Sequence, residues 1–480
     1  MGDQKGFLTY QREELIKEPV SVRKQHWKEF IRLPSEPSLR QQGARCMDCG
    51  VPFCHWGCPI ANLMPEWNDL VYKGRWQEAF ERLTLTNNFP EFTGRLCPAP
   101  CENSCVLAIN QPAVSIRNLE LAIIERAYDQ GWVQPRAPKV RTGKRVAVIG
   151  SGPSGLACAD QLNKFGHYVE VFEKNEAIGG LLVLGIPDFK LEKGVIERRV
   201  ALMQKEGIVF HKKIHVGEGL KLSDLQKKYD AIVLCTGAEQ TRGLNVPGAD
   251  LKGVYQAMEY LTQQNRVNAG QRIDQKVRIT AQGKRVVVLG GGDTGSDCVG
   301  TANRQGARSV KQFEILPRPP EARAEDNPWP QWASIYRKSS SQEEGVEQDY
   351  CVMTKALSGQ QGQLQKLHAV RLSYGEKDLA TGRRSMQEIP GSDFEVPCDL
   401  LILALGFLGP VKKGLLEEFS FATNERGNVK TYEFYMTSVS GIFSAGDMRR
   451  GQSLIVWAIE EGRKVAAGVH QWLFQKKQQF

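Results

Sequence analysis

No apolar run in this 480-residue sequence approaches the length needed to cross a bilayer. The longest, LLILALGF at 400–407, is the size of a strand. The opening stretch MGDQKGFLTYQREELIKEP lacks the apolar core that a secretory signal carries. These absences predict a cytoplasmic protein with no membrane partner. A basic arm with interleaved aromatics is also missing: the formal net charge of +9 is spread along the chain, so no nucleic-acid partner is expected. A diffuse basic face still suits an acidic protein or the phosphates of a nucleotide. Histidine is scarce, seven in all, and no Ser/His/Asp or Cys/His constellation stands out, so no side chain is assigned a catalytic role. His55 falls inside a cysteine run, and His167 reads as an isolated loop residue.

What is present points to a globular chain of two or three domains, with 41% hydrophobic and 24% charged residues. Seven of the twelve cysteines lie between residues 46 and 105, and such clustering without a secretory signal indicates metal rather than disulfides. Residues 1–140 are rich in Cys, Trp and Pro, with short helical patterns in MPEWNDLVYKGRWQEAFERL and SIRNLELAIIERAYDQG. VQPRAPKVRTG (133–143) reads as a linker, after which the texture becomes α/β. GKRVAVIGSGPSGLACADQL (143–162) is echoed by GKRVVVLGGGDTGSDCVGTA (283–302), a spacing that suits two nucleotide-binding domains. The polar, Pro/Ser-rich stretch between 318 and 350 reads as a surface excursion of the second.

In the first copy, Gly150, Gly152 and Gly155 follow a buried strand and open a helix. The first glycine permits the turn, the second lets backbone approach a pyrophosphate, and the third packs helix on strand. The helix N-terminus supplies unpaired N–H groups for the anion. Glu173, at the end of YVEVFE, is placed to accept a ribose hydroxyl. The second copy repeats the spacing with Gly290, Gly292 and Gly295, holding Asp293 and Thr294 between the last two. There Glu314 suits a free 2′-hydroxyl, whereas Arg318 or Arg323 suits a 2′-phosphate. NADPH is the preferred donor on this reading, and NADH remains possible. Gly179–Gly180 in GGLLVLGIPDFKL and Gly446–Asp447 in GIFSAGDMRRG read as a close-approach turn and a late turn over a flavin's ribityl-phosphate, giving FAD to the first unit. The bland alternatives are a plain turn and a helix N-cap.

The cysteine spacing is Cys46-x2-Cys49-x4-Cys54-x3-Cys58, then Cys97-x3-Cys101-x3-Cys105. Zinc knuckles come in pairs totalling four or eight ligands, which a four and a three do not match. Two [4Fe–4S] clusters suit the pattern better, since a run's last cysteine can ligate the neighbouring cluster. Zinc stays the alternative.

With GSGPSG, GGLLVLGIPDFKL, GGGDTGSDC and SAGDMRRGQSLIVWAI, this cysteine block resembles the small (β) subunit of glutamate synthase over essentially the whole chain. The same scaffold occurs in the N-terminal region of dihydropyrimidine dehydrogenase and in bifurcating NADH-dependent ferredoxin:NADP oxidoreductases. The resemblance implies an α/β fold of two Rossmann-like domains behind a mainly helical iron–sulfur domain. Its boundaries would be 1–140 for the clusters, 141–282 and 406–480 for FAD, and 283–405 for the inserted NAD(P)H domain. It also implies that Cys46, Cys49, Cys54 and Cys105 hold one cluster, and that Cys58, Cys97 and Cys101 hold the other with Glu120 of IRNLE as fourth ligand. Electrons from NADPH would pass through FAD and the clusters to a large FMN subunit that makes L-glutamate from 2-oxoglutarate and glutamine, in a hetero-oligomer. This chain has neither an N-terminal nucleophilic cysteine nor length for a glutaminase and a synthase barrel, so it would supply electrons only. The rivals are a subunit of an electron-bifurcating NAD(P)H:ferredoxin oxidoreductase on the same scaffold and, from another class, a zinc-bearing interaction module.

Overall fold

The computed structural model describes residues 2–378 and 384–475. Its N-terminal third is helical, with Glu36–Ala44, Met64–Tyr72, Trp76–Thr84, Pro90–Leu96 and Ile116–Asp129 as its main helices. Ser35 caps the first of these by accepting the Ser38 N–H. Ile116–Asp129 turns Ile116, Leu119, Ile123, Ile124 and Ala127 into the core, the three-and-four spacing of an amphipathic helix. The cysteines sit on the short connections, where Phe53–Gly57 and Pro100–Asn103 pack together.

Two five-stranded parallel sheets follow. The first runs Ile442–Ser444, Ala231–Leu234, Arg145–Ile149, Tyr168–Glu173, Val209–Lys212. The second runs Glu347–Tyr350, Ser309–Glu314, Arg285–Leu289, Leu400–Leu403, Val254–Gln256. In each, the strand preceding the glycine turn is central and buried, which is why it reads as a continuous apolar run. The final segment of the chain returns to the first sheet, where Ile442–Ser444 pairs with Ala231–Leu234. Its helix Ile455–Gln475 packs along Pro153–Lys164.

The structure moves one boundary. Val254–Gln256 pairs with Leu400–Leu403, and helix Ala257–Asn268 joins the core around Val286, Val288 and Ile402. Residues 254–282 therefore belong with the second sheet rather than with the first unit. The glycine-turn strand that marks a nucleotide unit in sequence is central to its sheet, while the half-buried edge strand before it carries no such signal. An antiparallel sheet of Val352–Gln360, Gln363–Lys377, Arg384–Glu388 and Phe394–Pro397 also inserts into the second unit. Its mixed burial and many polar residues hide it in the sequence.

Candidate functional site: two nucleotide turns and two thiol-lined cavities

The nucleotide turns lie at the carboxyl ends of their sheets, the position at which open α/β sheets bind ligands. Gly150 and Gly290 have φ of +100° and +112°, in the left-handed region that glycine alone adopts freely. A Cβ on Gly155 would collide with the Gly150 carbonyl, and one on Gly295 with the Gly290 carbonyl. At Gly152 and Gly292 a Cβ would meet nothing within 4 Å, so these two glycines border open space. That combination, tight packing behind and an open cradle in front of a helix N-terminus, fits a bound pyrophosphate. Asp293 and Thr294 occupy the first turn of helix Asp293–Arg304.

Each turn is braced by the acid at the end of the next strand. Buried Glu173 accepts the Ser151 N–H at 3.2 Å and its hydroxyl at 2.6 Å on one oxygen, and Asn175 N and Nδ2 at 2.9 and 2.7 Å on the other. Glu314 likewise accepts from Gly291 N at 2.6 Å and Leu316 N at 3.0 Å. Gly179 donates to Ser151 Oγ at 3.0 Å, and a Cβ on Gly180 would lie 2.9 Å from Gly152 Cα, so this turn abuts the first cradle. Gly446 closes the other side: a Cβ there would lie 2.8 Å from Ser154 Cβ. Its N–H donates to Glu461 at 2.9 Å. Asp447 accepts the Ser453 hydroxyl at 2.9 Å, and burial pushes its carboxyl up to about 6.

Glu461 is a participant that sequence reasoning missed. It is 2% exposed, and it also pairs with Arg449 at 2.6 Å. Within AIEEGRK it looks like any exposed helix acid, and only the packing of helix Ile455–Gln475 turns it inward.

The arginines of the second unit diverge. Arg318 pairs with Glu321 at 2.5 Å and lies 4.1 Å over the Tyr336 ring, on the chain just beyond Glu314. Arg323 instead donates to the Asn327 carbonyl at 3.3 Å and the Asn103 carbonyl at 3.2 Å, tying the polar excursion to the cysteine module. His167 lies on the loop between Pro153–Lys164 and Tyr168–Glu173, as expected, but is fully buried and not isolated: it meets His470 Nδ1 at 3.0 Å and Thr142 Oγ1 at 2.8 Å.

The cysteines line two separate cavities. Cys46, Cys49, Cys54 and Cys105 surround the first, together with Met47, Phe53, Asn68 and Leu107. Cys58, Cys97, Cys101 and Glu120 surround the second, with Asn62, Thr93 and Arg117. Met64 and Ile116 line both, so the two cavities stand back to back. Val456, from the last helix of the first unit, enters the wall of the second cavity. Among the described residues, no three Cys, His, Asp or Glu side chains gather as ligands of a single metal ion. A donor set spaced around a cavity suits a multi-iron cluster better than one zinc ion.

Burial raises the Cys46 thiol to about 11 and the Cys58 thiol to about 12, whereas a cluster iron would take cysteines as thiolates. Glu120 is buried and pushed up to about 7, although Asn87 and Thr93 donate to one of its oxygens at 2.7 and 2.9 Å. His55 leaves its Nε2 buried without a partner, and burial lowers its pKa.

Two family profiles match the chain: pyridine nucleotide-disulphide oxidoreductase over residues 144–462, and dihydropyrimidine dehydrogenase domain II, 4Fe-4S cluster, over residues 23–132. The glutamate synthase [NADPH] small chain of Mycobacterium tuberculosis is 52% identical over 98% of this chain and 96% of that one. The glutamate synthase [NADH] of Schizosaccharomyces pombe is 46% identical over 96% of this chain and 22% of its own length. Among solved structures, FprA from Mycobacterium tuberculosis (His57Gln mutant) superposes with a TM-score of 0.58 at 18% identity, covering 70% of this chain and 86% of that one, a likeness of fold. The chain belongs to the glutamate synthase small-chain family, a flavin oxidoreductase built on the pyridine nucleotide-disulphide oxidoreductase fold with a 4Fe-4S domain at its N-terminal side.

Proposed function

We propose that this chain is the electron-input subunit of glutamate synthase. In this role it draws electrons from NADPH and delivers them through FAD and two [4Fe–4S] clusters to a large FMN subunit that makes L-glutamate. Bound flavin accepts a hydride and releases electrons singly, and that chemistry is the cofactor's own. The chain supplies the cradles. Gly150, Gly152, Gly155, Glu173, Gly179, Gly180, Gly446 and Asp447 would hold FAD on the first sheet. Gly290, Gly292, Asp293, Thr294, Gly295 and Arg318 would hold the nicotinamide nucleotide on the second, NADPH in preference, with NADH as the alternative donor. Cys46, Cys49, Cys54 and Cys105 would carry one cluster, and Cys58, Cys97, Cys101 and Glu120 the other.

The observation that carries this reading is the arrangement of the two thiol-lined cavities. They share Met64 and Ile116, and the second takes Val456 from the helix that follows Gly446–Asp447. A route from the flavin unit therefore reaches the Cys58/Cys97/Cys101 cavity first and the Cys46/Cys49/Cys54/Cys105 cavity after it. The relatives' names support such a partner: one is a small chain, and in the yeast protein the matching region is 22% of a single polypeptide. A separate large subunit would supply the remainder in a cytoplasmic hetero-oligomer.

The test is anaerobic purification followed by NADPH and NADH titration. The protein should be brown-yellow, contain about eight iron atoms, and bleach more readily with NADPH. Iron near zero, or no bleaching with either nucleotide, would sink the reading. Co-purification with a large FMN subunit supports glutamate synthase over the ferredoxin-linked rival, and a small ferredoxin-reducing partner argues the reverse.

A further inference from the structure

The two nucleotide units meet along the connecting strands Gln240–Thr241 and Phe407–Gly409 and, separately, through one short segment of the first unit. Residues 184–190 continue from the Gly179–Gly180 turn and pack against two helices of the second unit. From helix Ala257–Asn268, Asn265 Nδ2 donates to the carbonyls of Leu184 and Ile186, both at 3.0 Å, and Asn268 Nδ2 donates to Asp188 at 2.7 Å. From helix Asp293–Arg304, Asp297 forms an ion pair with Lys190 at 2.5 Å. Gly300 on the same helix leaves a notch, since a Cβ there would lie 2.8 Å from Phe189 Cζ. The Arg304 guanidinium then lies 3.7 Å over the Phe189 ring. Positions 297, 300 and 304 are spaced by three and four, so they form one face of the helix.

This face is anchored from behind. Glu344 binds Arg304, with one contact at 3.0 Å, and accepts from Arg23 Nε at 2.9 Å, which brings in the N-terminal segment. Arg304 Nε also donates to the His26 carbonyl at 3.0 Å.

Burial sharpens what the pair can do. Asp297 is 4% exposed, while the Lys190 side chain keeps 21% of its surface open, so the buried charge of the pair is the aspartate. A buried ion pair adds little net stability against an apolar replacement, yet removing one partner strands the other charge, so its best-attested use is to fix register. Here the register is between two functional elements. The segment follows the turn that abuts the flavin cradle, and the helix begins at the nicotinamide cradle. A shift of one against the other displaces the two nucleotide sites.

We infer that the Lys190–Asp297 pair, with Phe189 seated in the Gly300 notch, is a positioning device that sets the nicotinamide site against the flavin site. It governs transfer of the hydride that leaves NADPH as NADP+ and reduces the flavin by two electrons, while each nucleotide binds as before. The inference rests on the function proposed above.

The test compares Lys190→Met, Asp297→Asn and the double variant in anaerobically purified holoenzyme. Stopped-flow reduction of the flavin by NADPH should slow about 10- to 100-fold in each single variant, the penalty for small misplacement of reacting groups. The double variant should be no slower than the slower single one. Flavin content, iron content and NADP+ affinity should stay at wild-type values. Hydrogen exchange should rise in residues 184–190 and 293–304 together, and Lys190→Arg should keep most of the rate. Should Asp297→Asn shed its flavin, Lys190→Met carries the comparison alone, because that side chain is 21% exposed and its loss leaves the cradle glycines untouched. Unchanged rates, multiplying losses in the double variant, or a loss lying wholly in NADP+ affinity overturn the inference. Wild-type flavin that NADPH fails to reduce removes instead the reading on which it stands.

Discussion

Gly152 and Gly155 sit three residues apart and should fail in different ways. A Cβ at Gly155 meets the Gly150 carbonyl, so Gly155→Ala must push strand and helix apart, at an overpacking cost of about 1–3 kcal/mol. We expect a lower melting temperature together with lost flavin. At Gly152 the space is open, so Gly152→Val should leave the flavin-free protein's melting temperature near wild type and weaken FAD retention, measured after gel filtration. Equal thermal losses in both variants would contradict this division. Glu120→Ala removes the carboxylate from the second cavity and takes one acceptor each from Asn87 and Thr93, which keep Thr93 Oγ1 and the Phe89 carbonyl respectively. Iron content or the electron-spin signal of one cluster should change while that of the other persists, and identical spectra would count against a ligand role. The seven clustered cysteines, the glycine spacings and Glu120 were legible as residues. What their sequence positions did not reveal was direction: Arg323 points to Asn103, and Glu461 turns inward to Gly446.

At the scale of elements, the terminal helix Ile455–Gln475 contacts two candidate functional regions and one buried histidine. It places Val456 at the second cavity and Glu461 under the Gly446 turn. It also places His470 against His167. Burial pulls His167 from its ordinary 6.5 to about 4, helped by the neighbouring His470 and Lys144 and opposed by Asp230. The unfolded chain therefore takes up a proton near pH 6.5 that the folded chain refuses until about pH 4. Stability from this group is fully present above pH 6.5 and declines as pH falls toward 4. Denaturant midpoints measured across that range should fall with acid in the wild type and fall less steeply in His167→Asn. Parallel curves would place the acid sensitivity elsewhere. The helix itself was readable from its periodicity, and so were Met64–Tyr72, Trp76–Thr84 and Ile116–Asp129, because apolar spacing is a local property. The edge strand Val254–Gln256 was not, because its three half-buried residues carry no periodic signal.

For the whole molecule, the cysteine module and the nucleotide units should respond differently to loss of iron. The module's core includes the buried cysteines proposed as ligands, so loss of the proposed clusters would leave two thiol-lined cavities inside it. The second sheet has a core of its own around Val288 and Ile402, and one face of the first has another around Leu234 and Ile442, while its other face, with Val148 and Leu156, shares a core with the module. Chelation under reducing conditions should therefore expose residues 36–129 to protease first, because metal binding and folding are coupled in such modules. Residues 144–462 should persist as a flavin-bearing fragment, and simultaneous digestion of both regions would refute the separation. The Lys190–Asp297 pair belongs to this scale as well, since it joins residues 107 positions apart, counting from 190 to 297.

Taken alone, the sequence determined the local chemistry of this protein. Glycines at fixed spacing permit left-handed turns, buried runs form central parallel strands, and thiols with short spacers form a metal-binding donor set; each depends only on neighbours along the chain. The tertiary structure decided which donors share a cavity, where residues 254–282 belong, which carboxylate braces the late turn, and how one nucleotide unit grips the other. Those outcomes depend on complementary packing between separate segments of the chain, a property of assembled surfaces that no local pattern carries.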